Sequence, residues 1–156
     1  MHANERLIHD FYTCFQKLDA NGMAKCYAPD IVFSDPVFPR LEGKEAGAMW
    51  QMLASRAKNF TIVFNDIRAD DKRGRAHWEA TYLFSKTGRM VTNIIDAEFE
   101  FRDGLVVRHI DRFDFWRWSR QALGVPGVLL GWTPMVRDKV RGEARKGLEQ
   151  FMAASK

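Results

Sequence analysis

The chain is short of the features that usually announce a mechanism. Cysteine is scarce, with Cys14 and Cys26 the only two in 156 residues, which excludes a disulfide framework and fits a reducing compartment. The two lack metal-site spacing and partners, so buried thiols are expected and a bound metal is not. No glycine loop for phosphate, no dinucleotide fingerprint and no serine or cysteine nucleophile motif occurs, and no cofactor is expected. Long apolar runs are missing too: the longest candidate, Val125 to Trp132, is broken by Pro126, Gly127 and Gly131 and is too short for a membrane span. The opening residues, MHANERLIHDF, lack the basic start and apolar core of a signal peptide. The expectation is a cytoplasmic protein with no membrane partner. A strong excess of one charge is absent, the net charge being +4. The densest basic stretch, Arg137, Lys139, Arg141, Arg145 and Lys146, is interleaved with Asp138, Glu143 and Glu149, as on a solvated helix face. With no aromatic-basic stacking platform beside it, nucleic acid is not expected as a partner.

What is present is apolar mass. Hydrophobic residues make up 46% of the chain, with 12 Phe and 5 Trp, enough for one substantial core at single-domain length. One domain over residues 1–156 is expected, with a core from about residue 4 to 118 and a helical extension from 119 to 156. Asn4 is placed to cap a first helix whose apolar positions Leu7, Ile8, Phe11, Phe15 and Leu18 recur at helical spacing. A short second helix through Met23, Cys26 and Tyr27 stops at Ala28-Pro29. Ile31 to Asp35 reads as a short strand ended by Pro36. A third helix from Lys44 to about Lys58 carries the stripe Ala46, Met49, Trp50, Leu53 and Ala57. Strands follow at Phe60–Arg68 and Arg75–Ser85. Beyond the last strand, Gly124 to Trp132 reads as an irregular connection, and Thr133-Pro134 opens a final helix. Helices first and a mostly antiparallel sheet afterwards make the class α+β.

The organising stretch is Val91 to Phe115, two strands joined at Arg102-Asp103-Gly104. Alternation puts Val91, Asn93, Ile95, Ala97, Phe99 and Phe101 on one face of the first strand, and Leu105, Val107, His109, Asp111, Phe113 and Phe115 on one face of the second. That apolar face is breached by Asn93, His109 and Asp111. Burying such groups unpaired costs about 1–3 kcal/mol each, so the breach points to a pocket. A three-residue loop would set Ala97 opposite His109 and Ile95 opposite Asp111. A tight turn at Thr87-Gly88 would set Trp78 opposite Ala97 and Tyr82 opposite Asn93, leaving a gap beside Ala97 for a ligand or for packing helices.

Three residues are candidates for chemistry. Asp35, sharing a face with Ile31 and Phe33, is either a carboxylic acid tuned by burial for general acid-base work or a turn residue bonding its local backbone. His109 and Asp111 lie on one face, about 6.6 Å apart along the strand. They act together through a ligand or water, or form a hydrogen-bonded pair inside the core. Tyr82 and Asn93 offer a hydroxyl and an amide to a ligand oxygen, or to each other. Trp78, Phe99, Phe113 and Trp50 are walls of the same space. His2, His9 and His77 show no consistent partners.

The segments Tyr27-Ala28-Pro29-Asp30, Phe33-Ser34-Asp35-Pro36, Leu41-Glu42-Gly43-Lys44, Phe99-Glu100-Phe101-Arg102-Asp103-Gly104-Leu105-Val106 and His109-Ile110-Asp111, in that order, resemble the nuclear transport factor 2-like superfamily. More narrowly, they are similar to SnoaL-like and ketosteroid isomerase-like proteins. The resemblance implies a cone: a curved, mostly antiparallel sheet wrapped on three N-terminal helices, here with an extra C-terminal helix. It further implies an apolar cavity for a small ligand and homodimerisation through the outer sheet face. Asp35 matches the proton-abstracting aspartate of the isomerases. Phe11 stands where they carry an oxyanion-binding tyrosine, with Tyr12 one residue off the face, and Ala97 where they carry a protonated aspartate. The implied function is binding of a small apolar carbonyl or hydroxyl compound, with cofactor-independent isomerisation, cyclisation or dehydration as the chemistry. The alternative is a non-catalytic ligand-binding or protein-interaction module of the same fold.

Overall fold

A computed structural model describes residues 1–155; Lys156, the last residue of the expected extension, lies outside them. The elements run α1 (Ala3–Gln16), α2 (Ala20–Ala24), β1 (Tyr27–Ser34), β2 (Leu41–Glu42), α3 (Lys44–Arg56), β3 (Thr61–Ala69), β4 (Arg73–Phe84), β5 (Arg89–Arg102), β6 (Leu105–Arg112), α4 (Phe115–Leu123), α5 (Val125–Leu130) and α6 (Pro134–Ala154). The strands form one six-stranded sheet in the order β2-β1-β6-β5-β4-β3, in which only β1 and β6 pair in parallel. The class is α+β as expected. The core lies between the sheet's inner face and helices α1 and α3, built on Ile8, Phe11, Tyr12, Phe15, Met49 and Trp50 from the helices and Phe33, Trp78, Ile95 and Phe99 from the sheet. Among the described residues, no helix is long and apolar enough to cross a membrane.

Helix α1 is capped by His2, not Asn4. The His2 ring accepts the Asn4 N–H at 3.0 Å while Glu5 accepts the His2 N–H at 2.9 Å, a reciprocal capping box. The Asn4 side chain instead donates to the Asp70 carbonyl at 3.0 Å, tying the helix start to the β3–β4 turn. Tyr27 to Pro29 belong to β1, not to a helix end. The strand tolerates Pro29 because its pairing with β6 is irregular between Tyr27 and Val32. In α3 it is Met52, not Leu53, that is buried beside Trp50.

The central hairpin turns on two residues, not three. Asp103 (φ 53°) and Gly104 (φ 77°) both have positive φ, the backbone of a type I′ turn. Phe101 therefore pairs with Val106, Phe99 with His109 and Ala97 with Asp111. A bulge between these pairs gives β6 one extra residue, so Val106 points inward where alternation alone assigned Val107. The β4–β5 loop spans residues 85–88, setting Trp78 opposite Ile95 and Tyr82 opposite Val91. Both registers differ from the expected ones by two residues, and a shift of two leaves every inward residue inward.

Beyond the hairpin, β6 stops at Arg112, so Phe113 and Phe115 lie outside it. The stretch read as an irregular connection contains helix α5. Because β5 outlasts β6, its edge near Thr92 would be bare. Helix α4 covers it: Gln121 accepts the Thr92 N–H at 2.8 Å and donates to the Thr92 carbonyl at 3.1 Å. Thr133 caps α6 and Pro134 opens it, and Leu148 of α6 joins the main core.

Candidate functional site

The parallel pairing of β1 with β6 decides which candidates meet. Phe33 is opposite His109 and Ser34 opposite Ile110, the last pair of the ladder, and Asp35 and Asp111 follow directly on the two chains. Both line an open cavity of about 380 Å³ with Ser34, Pro36, Ile110, Arg112 and Phe113. A second hollow of about 420 Å³ lies among charged residues around the β3–β4 turn and contains none of the candidates.

Asp35 is one residue past the strand, in a turn closed by its own N–H donating to the Phe38 carbonyl at 2.8 Å. Its Oδ1 accepts the N–H groups of Val37 and Phe38 at 2.7 and 2.6 Å. The two readings of this residue thus coexist: it holds its turn, and burial pushes its carboxyl up to about 7. The neighbouring charge of Asp111 adds to that rise, while the two backbone donors and Arg141 oppose it. Arg141 of α6 also ties down this corner by donating to the Pro36 carbonyl at 2.8 Å.

His109 and Asp111 are fully buried in a linear hydrogen-bond chain. Trp50 Nε1 donates to the Tyr27 hydroxyl at 2.9 Å, and that hydroxyl meets His109 Nδ1 at 2.7 Å. His109 Nε2 meets Asp111 Oδ1 at 2.9 Å, and Trp78 Nε1 donates to the same oxygen at 3.3 Å. Both ring nitrogens of His109 are thus engaged, Nδ1 with the Tyr27 hydroxyl and Nε2 with the Asp111 carboxyl. The ring is packed between Phe99, centroids 4.5 Å apart, and Phe33, Phe11 and Trp50. His109 has no ring nitrogen left for a ligand, and Asp111 is the end of the chain that reaches the cavity.

The gap expected beside Ala97 is occupied. Ala97 faces Ala76 across the strands, and Tyr12 from α1 packs on Trp78 and Phe99 at 5.8 and 6.4 Å, the large residues flanking that small pair. Tyr12 is not off the helix face; it is as completely buried as Phe11. Its hydroxyl has no partner among the described residues, and burial together with the charge of Asp111 pushes the phenol well up. Tyr82 and Asn93 do not bond each other: the Tyr82 hydroxyl accepts Trp118 Nε1 at 2.8 Å, and Asn93 is paired across the sheet with Ala80. Phe113 packs against both buried clusters and reaches the cavity.

Tyr27 and Tyr12 are therefore the site residues that the sequence pattern did not single out. The remaining histidines also have partners. His2 reaches Asp71 at 3.0 Å, His9 stacks edge-on to Phe64 at 5.4 Å, and His77 lies between Asp96 (2.8 Å) and Glu79 (2.9 Å) on the outer sheet face. Those two carboxylates push the His77 imidazole up. Cys14 and Cys26 are both free, and burial pushes the Cys26 thiol up to about 12.

Comparison with solved structures finds the same architecture repeatedly. A Mycobacterium tuberculosis LEH-like epoxide hydrolase matches with a TM-score of 0.66 at 19% identity, covering 81% of this chain and 92% of its own. A putative polyketide cyclase from Xanthomonas campestris pv. campestris matches with a TM-score of 0.64 at 21% identity, covering 77% and 96%. TerC, co-crystallised with polyporic acid, matches with a TM-score of 0.66 at 17% identity, covering 79% and 100%. At these identities the likeness establishes the fold alone. No curated protein matches the chain in sequence. The family profile of the SnoaL-like domain matches residues 8–109, from the first core helix to the buried histidine, and the chain belongs to the SnoaL-like family.

Proposed function

We propose that this protein binds a small, largely apolar compound carrying a carbonyl or hydroxyl group at the cavity between β1 and β6. There it moves a proton on that compound, with Asp35 as the base. The observation that carries this reading is the pair of carboxyls, one in β6 and one in the turn just after β1, lining one hollow, with Asp35 raised to about 7. A carboxyl titrating there is half ionised near neutral pH and can both take and return a proton. Asp111, held by His109 and Trp78, is the fixed negative partner. His109 is a positioning residue that acts through Asp111. Isomerisation, cyclisation and dehydration all need this kind of transfer and no cofactor. Relatives of the same fold include a putative polyketide cyclase and a protein crystallised with polyporic acid, which supports cyclic oxygenated compounds as the class to screen.

The test is a thermal-shift screen of cyclic ketones and phenols, followed by turnover of each binder. Asp35→Asn keeps both backbone hydrogen bonds through its amide oxygen and removes the base. It is expected to bind as the parent does and to lose turnover by about 10²–10⁴-fold; unchanged turnover would overturn the assignment. A second reading, binding without chemistry, is favoured by the enclosure of His109, both of whose nitrogens are taken within the core. Under it, every binder is recovered chemically unchanged from the parent protein. We further propose the outer sheet face, which exposes Val63, Met90 and Ile94, as the surface of a homodimer, checked by the solution mass of the protein before and after Ile94→Lys.

A further inference from the structure

The C-terminal extension presents apolar side chains to solvent on a rigid support. Val125 (70% exposed), Leu129 (63%), Trp132 (68%) and Met135 (66%) project from α5 and the start of α6, with Val128, Leu130 and Trp116 beside them. This is not loose chain. A Cβ on Gly127 would lie 1.9 Å from the Ser119 carbonyl oxygen, so α5 crosses α4 at backbone contact. The indoles of Trp116 and Trp132 spend their N–H groups on the α5 carbonyls of Val128 and Leu129, at 3.3 and 3.0 Å. What these rings leave exposed is therefore apolar. So many exposed apolar side chains in one short stretch of a small protein mark an interaction surface.

Charge selects the occupant. From Phe115 to Arg137 the chain contains Arg117, Arg120 and Arg137 and no Asp or Glu, with the exposed Asp114 and Asp138 at either end of that stretch. Arg117 and Arg137 are exposed, and Arg120 is stacked 4.3 Å over the Trp116 ring. A two-fold contact with a second copy through this face would set one arginine rim against the other. A short helix exposing Val and Leu, followed by exposed Trp132 and Met135 and flanked in the chain by arginines of α4 and α6, has the composition of an interfacial anchor. We propose that α5 and the α6 start seat this protein on the surface of an anionic phospholipid bilayer, with Val125, Leu129, Trp132 and Met135 in the headgroup–acyl boundary. The expectation of no membrane partner rested on the lack of a spanning run, and a helix lying in the interface needs none.

The test is flotation of the full chain with vesicles of phosphatidylcholine alone or mixed equally with phosphatidylglycerol. The protein is expected to float with the anionic vesicles and to be released by high salt. The double variant Leu129→Ser/Trp132→Ser alters only exposed side chains, and its fold is checked by circular dichroism. It should partition on the order of 100-fold more weakly, and Arg117→Glu/Arg137→Glu should lose the preference for anionic vesicles. Three results would overturn the proposal: no flotation with either vesicle, equal flotation of parent and Leu129→Ser/Trp132→Ser, or a lipid-free oligomer that this variant dissociates.

Discussion

At the scale of single residues, two groups tie stability to pH in the same direction for different reasons. Asp35 has a folded-state value of about 7 against about 3.8 unfolded because burial disfavours its charge. Its contribution is greatest below the unfolded value and falls as pH rises from about 4 through 7. His77 is raised by Asp96 and Glu79, so it stabilises the fold below its unfolded value of 6.5 and stops doing so above its folded one. Glu5, Asp30, Glu45, Asp70 and Glu143 are all lowered in the fold and add stability as pH rises through the ordinary carboxylate range, so melting temperature is expected to decline above that range, from about pH 6 to 8 in the parent. Asp35→Asn should flatten the decline between about 6 and 7, and His77→Gln the part above 6.5; a parent profile flat from about 6 to 8 would contradict both. The buried chain makes a separate prediction. Tyr27→Phe strands the Trp50 indole N–H and His109 Nδ1 together, at about 1–3 kcal/mol for each group. A fall in melting temperature of roughly 5–15 °C is expected by calorimetry. A loss under about 1 kcal/mol would mean the chain is not closed as described.

At the scale of elements, the crossing of α4 and α5 is the most constrained contact, and Gly127→Ala is the change that tests it. The added methyl would meet backbone, which cannot swing aside. About 1–3 kcal/mol of destabilisation is expected, with new protease cleavage between Gly124 and Trp132 and no change at Asp35. Elements were also where the sequence was most and least readable. Asp35, His109 and Asp111 could be assigned to the interior from alternation, and the two-residue errors in both registers did no harm because strands repeat every two residues. The bulge in β6 is a different matter: a one-residue insertion inverts parity, so Val106 was misplaced while His109 was not. Tyr27 was missed because Ala28-Pro29 looks like a helix stop, and nothing local says that an irregular strand will absorb the proline. Tyr12 was missed because a one-sided stripe does not anticipate a helix buried on two adjacent positions. Least legible was the meeting of Asp35 with Asp111, since parallel pairing between strands so distant in sequence has no local signature.

At the scale of the molecule, the cone is complete only when distant parts of the chain arrive. The N-terminal helices cover the inner face, α4 covers the free edge of β5, and α6 reaches back to α3 through Leu148 and the Arg145–Glu45 ion pair. Deleting residues 134–156 removes both of those contacts and the Arg141 hold on Pro36. The shortened protein is expected to melt lower by calorimetry and to bind more of a hydrophobic dye than the parent does. The parallel ladder between β1 and β6 also has a consequence for biosynthesis. β1 has no sheet partner but the two-residue β2 until β6 is made, so its ladder waits on loop closure across most of the domain. On the ribosome the edge of β1 that β6 will pair with stays bare while some seventy further residues are translated, and the hollow lined by Asp35 and Asp111 takes shape only in that late step.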